Sequence, residues 1–178
     1  MRWFWIDRFT EFVCDSHAVA VKGVSLAEPH MHEHMPGYPI MPNSLVTEGI
    51  AQAGGLLVSE HYGFAELVVL AKLATVKFHS IVRNGETLTY RVKVDTLRRD
   101  GAAISATAHV GERLHAEAQL FFARLGDSHE ELANAKMFRP RDLRHWLELV
   151  GVFDVGVKLD GTRIREGDYP LVEMPTEA

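Results

Sequence analysis

From Asn43 to about Gly63 the chain reads as a helix that is apolar on nearly every face. Leu45, Val46, Ile50, Ala51, Ala53, Leu56, Leu57 and Val58 leave no wide polar stripe, so the helix belongs inside a fold rather than on its surface. Asn43 and Ser44 are good N-cap residues with Pro42 just before them, and Gly63 is suited to the C′ position. Ala51, Ala53, Gly54 and Gly55 are small, so another element packs closely here. The Gly54-Gly55 pair sits mid-helix, where it suits close packing better than phosphate binding, which needs a strand-to-helix turn. The enclosing element decides the fold.

The flanking sequence supplies strands. Ala18 to Val24 is one. After residue 65 come Leu67–Val76, then Glu86–Leu97 with Leu88, Tyr90, Val92 and Val94 at period 2, then Ala102–Val110 and Leu114–Leu125. Asn84-Gly85, Asp100-Gly101 and Gly111 mark the turns between them. The economical architecture is α+β, one antiparallel sheet wrapped around one long central helix. Residues 1–125 would make that domain, and 126–178 a C-terminal extension. In the extension, Glu130–Lys136 and the amphipathic Pro140–Val150 read as helical. The stretch with Gly156, Gly161, Gly167, Pro170 and Pro175 reads as an extended tail that packs on the core or a neighbour.

The chain has 178 residues and a formal net charge of -5, with no basic run, which argues against nucleic-acid binding. Cys14 is the single cysteine, so no internal disulfide forms and a reducing cytoplasm is the expected compartment. Asp7 and Arg8 interrupt the early apolar residues too soon for a signal-peptide core. No apolar run approaches the roughly 20 residues of a membrane span.

Two residues stand out as chemistry. His34 lies in a loop that carries Pro29, Pro36, Pro39 and Pro42, which excludes a long helix there. Glu48 lies about one turn into the apolar helix, where a carboxylate is costly unless it is paired or has work to do. Gln52, four residues on, shares its face and can hydrogen-bond to it. Burial would raise a carboxylate pKa and suit a proton donor. A histidine base and a carboxylic acid can together run an elimination next to a carbonyl, and free N–H groups at the helix N-terminus can polarise that carbonyl. His30, His32 and His34 alternate, as strand residues on one side would, but no acid or cysteine stands at a recognised metal spacing. His61, His79, His109, His115, His129 and His145 read as surface or satisfied core residues.

The run from His34 through Pro36, Gly37, Pro39, Pro42, Leu45, Glu48 and Ala51 to Gln52 resembles the signature of 3-hydroxyacyl-acyl-carrier-protein dehydratases, H-F-P-G-x-P-x-x-P-G-x-L-x-x-E-A-x-A-Q. Met35 stands for the usual Phe, Asn43 for Gly and Gly49 for Ala; the last change slightly weakens the helix. The resemblance extends more loosely over residues 1 to 125. It implies a hot-dog fold and a homodimer, often assembled as a trimer of dimers, with tunnels at the dimer interface. It implies His34 as base and Glu48 as acid, one from each subunit. Gly37, the Ile40 carbonyl and the Asn43 N–H would give backbone support, and Gln52 would support Glu48. Glu rather than Asp at the acid position implies dehydration without isomerisation. No metal or redox cofactor is expected.

The implied substrate is a (3R)-hydroxyacyl thioester on the phosphopantetheine arm of acyl carrier protein. Lys72, Lys77, Arg98 and Arg99 are either contacts for that acidic partner or ordinary solvated charge. Two rival readings stay open: a non-catalytic acyl-binding or assembly subunit on the same scaffold, and a hot-dog thioesterase, which would lack the His-Pro-Gly signature.

Overall fold

The computed structural model describes residues 4–125 and 140–171, so the expected Glu130–Lys136 helix lies outside the described residues. The elements are β1 (Arg8–Val13), β2 (His17–Gly23), α1 (Pro29–Glu33), α2 (Asn43–His61), β3 (Leu67–Phe78), β4 (Thr87–Arg98), β5 (Gly101–Val110), β6 (Arg113–Leu125), α3 (Pro140–Leu149), α4 (Val152–Val155) and β7 (Gly156–Val157). The strands form one sheet in the order β3-β6-β5-β4-β2-β1-β7. Each pairing is antiparallel except that of β1 with β7.

α2 packs against β2 to β6, and alternation along the strands sends one face to it. On β4, Leu88, Tyr90 and Val92 are buried; on β5, Ile104, Ala106 and Ala108; on β6, Ala116, Ala118, Leu120 and Phe122. They meet Val46, Ile50, Ala53, Leu57 and Val58 of the helix. Small residues set how close the layers come. A Cβ on Gly54 would collide with Ile104 Cδ1, and one on Gly49 would lie 2.6 Å from the Tyr90 ring.

Two local readings need correction. The helix cap is Pro42, not Asn43 or Ser44, and no side chain caps the helix. Extended Pro42 presents its carbonyl to the N–H groups of Leu45 and Val46, so the turn closes without a capping side chain. The histidine-bearing segment is not extended either. Pro29 starts the single helical turn α1 at its first position, where a missing N–H costs nothing. His30, His32 and His34 therefore do not share one side.

Past residue 139 the amphipathic α3 buries Leu147, and α4 buries Val152. β7 then joins the free edge of β1, pairing Phe12 with Gly156 and Val13 with Val157. Phe9 N–H donates to the Val150 carbonyl (2.8 Å) and Cys14 N–H to that of Val157 (2.9 Å). Ile164 and Leu171 complete the same core. At the opposite edge, the 12-residue β3 pairs with β6 alone among the described residues and leaves Leu70 and Leu73 exposed. Among the described residues no helix is long and apolar enough to cross a membrane.

Candidate active site

The loop bearing His34 is pinned on both sides. Met31 of α1 is buried, and the His34 N–H donates to the His30 carbonyl at 3.2 Å. Met35-Pro36-Gly37-Tyr38 then forms a tight turn closed by Tyr38 N–H on the Met35 carbonyl at 2.9 Å. Gly37 has φ +79°, so proline followed by a left-handed glycine gives the type II pattern. The Tyr38 hydroxyl accepts from Arg83 Nη2 at 3.0 Å, with the guanidinium over its ring. Ile40 bridges to Arg83, and Met41 N–H donates to the Val82 carbonyl. The His34 side chain is exposed, and within the chain its ring has no hydrogen bond to the Ile40 carbonyl.

Asn43 is the first residue of α2, so its N–H has no intrahelical acceptor and faces outward at the positive end of the helix dipole. Its side chain is exposed, and its carbonyl accepts from Thr47 Oγ1 at 3.0 Å. Glu48 is not buried in the single chain, contrary to the expectation from its apolar helix; it lies on a face that the chain's own sheet leaves uncovered. Gln52 Nε2 donates to Glu48 Oε1 at 3.0 Å, the expected one-turn contact. Gln52 Oε1 in turn accepts the Trp5 backbone N–H at 2.8 Å. No hydrogen bond or ion pair joins His34 to Glu48 within the chain.

A polar cluster that sequence reasoning missed lies beneath the histidine loop. Lys22 is buried, with Nζ 2.8 Å from both the Gly23 carbonyl and Glu28 and 3.3 Å from Asp7. Burial pushes the Glu28 carboxyl up, but hydrogen bonds from Lys22 and the Ser25 N–H outweigh it and hold it below its ordinary range. Burial lowers the His30 pKa and favours its neutral form, against the pull of Glu28, which favours the charged one. The His30 ring meets the Trp5 indole edge-on at 4.9 Å. Period and composition could not reveal these contacts, because they depend on how the loop after β2 folds back on Lys22 and on residues 5–7.

The remaining candidates lie elsewhere. His32 Nε2 is 2.6 Å from the Leu26 carbonyl, and among the described residues no cluster of three histidine, cysteine or acidic side chains could hold a metal. Lys72, Lys77, Arg98 and Arg99 are exposed on β3 and at the β4–β5 turn. Cys14 is buried, and its thiol is pushed up to about 12 by burial and by the negative charge of Glu60.

Comparison with known proteins covers the same ground. The FabA-like domain family matches residues 4–119. The chain is 38% identical over 119 residues to the 3-hydroxyacyl-acyl-carrier-protein dehydratase FabZ of Clostridioides difficile, covering 66% of this chain and 84% of that protein. It is 39% identical over 121 residues to the FabZ of Chloroflexus aggregans, covering 66% and 83%. In structure it is similar to the dehydratase heterocomplex ApeI:P of Xenorhabdus doucetiae, with TM-score 0.60 and 14% identity over 75% of this chain and 90% of that one. That likeness bears on the fold, which is the hot-dog fold. Family match, relatives and the His34-to-Gln52 signature fall on one stretch of sequence, and the chain belongs to the FabA-like family of 3-hydroxyacyl-acyl-carrier-protein dehydratases.

Proposed function

We propose that the protein dehydrates a (3R)-hydroxyacyl thioester carried on acyl carrier protein to the trans-2-enoyl thioester, in fatty-acid or related lipid or polyketide synthesis in the cytoplasm. The observation that carries the reading is the presentation of His34 and Glu48 to solvent from anchored supports, in a chain of this family. His34 removes a proton from C2 of the acyl chain. The released electron pair forms the C2–C3 double bond as the C3–O bond breaks, and protonated Glu48 gives its proton to the departing hydroxyl, which leaves as water. The outward N–H of Asn43 polarises the thioester carbonyl, so enolate charge develops against a fixed donor. Gly37 and Ile40 hold the loop geometry, and Gln52 orients the acid. Residues 1–125 form the dehydratase unit, and 126–178 an extension to it.

The working unit is a homodimer. His34 and Glu48 do not meet within one chain, while β3 offers a long unpaired edge with exposed Leu70 and Leu73. Pairing of two β3 edges extends the sheet and lets His34 face Glu48 of the partner subunit.

The test is turnover of 3-hydroxyacyl thioesters on acyl carrier protein, followed by mass spectrometry as loss of water. His34→Ala and Glu48→Gln each lower kcat on the order of 10²–10⁴-fold. Product stopping at the trans-2-enoyl thioester supports plain dehydration. Absence of turnover across short and long chains, from folded protein, would sink the reading. It would favour a non-catalytic acyl-binding subunit, with the Asn43 side chain standing where the signature has glycine.

A further inference from the structure

We infer that Trp5 is a positioning residue that holds the supports of both His34 and Glu48 from one point ahead of β1. The inference rests on the dehydratase reading of that pair. Its backbone N–H donates to Gln52 Oε1 at 2.8 Å, and Gln52 Nε2 donates to Glu48 Oε1 at 3.0 Å. A glutamine amide has one acceptor end and one donor end. Occupying the oxygen with the Trp5 N–H leaves only the NH2 group to face the carboxylate.

The other arm runs through the indole. Trp5 is 7% exposed, and its ring meets the His30 imidazole edge-on with centroids 4.9 Å apart and planes at 73°. The buried His30 Nε2 has no hydrogen-bond partner and lies 3.8 Å from Glu28, so packing fixes that ring. The carbonyl of the same residue accepts the His34 N–H at 3.2 Å. A third contact locks the Trp5 peptide: its carbonyl oxygen lies 2.8 Å from where a Cβ on Gly49 would stand, so it presses on the bare face of α2 next to Glu48. Asp7, two residues on, ties this stretch to β2 through Asp7 N–H on the Val21 carbonyl and Gly23 N–H on Asp7 Oδ2, both 2.7 Å.

A core aromatic alone would affect stability. A positioning residue affects the chemical step, because small misplacement of a reacting group costs up to about 100-fold in rate. The experiment compares wild type, Trp5→Phe and Trp5→Leu with the acyl-carrier-protein substrate, alongside thermal melts. Trp5→Phe keeps an aromatic edge for His30 and holds kcat within about 3-fold. Trp5→Leu fills the space without that edge and lowers kcat about 10–100-fold with KM nearly unchanged. Trp5→Leu keeps the backbone N–H, so combining it with Gln52→Ala, which breaks the other arm, lowers kcat by about the product of the two single effects.

A folded Trp5→Leu enzyme with wild-type kcat, or with only KM altered, overturns the inference. Amide exchange at Trp5 in the wild type gives a second readout that needs neither turnover nor a variant. Protection of at least about 100-fold over an unfolded peptide supports the clamp, and free exchange overturns it. Loss of wild-type turnover with a protected Trp5 amide would count against the dehydratase reading alone.

Discussion

Gly49 shows how a single residue can mean something different in the sequence and in the fold. As a helix residue it is a weak choice, costing about 1 kcal/mol against alanine, and its replacement of the usual alanine reads as a small loss. In place, its missing Cβ is where Tyr90 Cζ and Oη and the Trp5 carbonyl come to rest, at 2.6, 2.6 and 2.8 Å. Tyr90 is fully buried on β4 and cannot move aside. Gly49→Ala is therefore expected to destabilise by about 1–3 kcal/mol through overpacking, despite the better helix propensity. Urea denaturation measures this, and a more stable variant would show that the contact is soft. The identity of His34, Glu48, Asn43 and Gln52 as candidates was legible because fixed spacing survives in one dimension. The exposure of Glu48 was not legible, since a hydropathy pattern records how apolar a helix is and not where its own sheet stops covering it.

The main strands and α2 were legible because alternation and all-round apolarity are local signals, and strand limits moved by a residue or two. α1 was hidden by its prolines: one of them starts a helical turn rather than preventing it. β7 was hidden as well, since two residues have no period, and their place comes only from β1 having unpaired N–H groups to offer. The same C-terminal segment reaches the far end of α2. There Glu60 is buried at a helix C-terminus, where the dipole disfavours negative charge. The Tyr169 hydroxyl donates to Glu60 Oε1 at 2.7 Å. Tyr169→Phe leaves the ring contacts with Phe64 and Phe153 in place and removes one donor. The expected cost is about 1–3 kcal/mol in stability with kcat unchanged. Thermal melts and turnover run side by side check it, and an unchanged melting point would mean that Glu60 finds another partner.

For the whole molecule, the β3 edge governs assembly. Among the described residues the outer edge of the 12-residue β3 has no partner, and such an edge with exposed leucines is an aggregation hazard unless something covers it. In the homodimer reading a second copy does so. Leu73→Glu would place a charge in each half of that contact, and sedimentation should then show monomer where the wild type is dimer. Turnover should fall with it, because the halves of the site separate. A dimeric, fully active Leu73→Glu enzyme would move the interface to another edge.

The pairing of β7 with β1 also bears on the order of events during synthesis. β1 leaves the ribosome well before the partners of the Phe9 and Cys14 N–H groups, and Glu60 before the hydroxyl that meets it. Until then one side of β1 stays open, with its apolar side chains waiting for Val150, Val152, Ile164 and Leu171. Contacts this distant in sequence form slowly. Between the two, the nascent chain carries a sticky open edge on β1, the kind of species that chaperones hold.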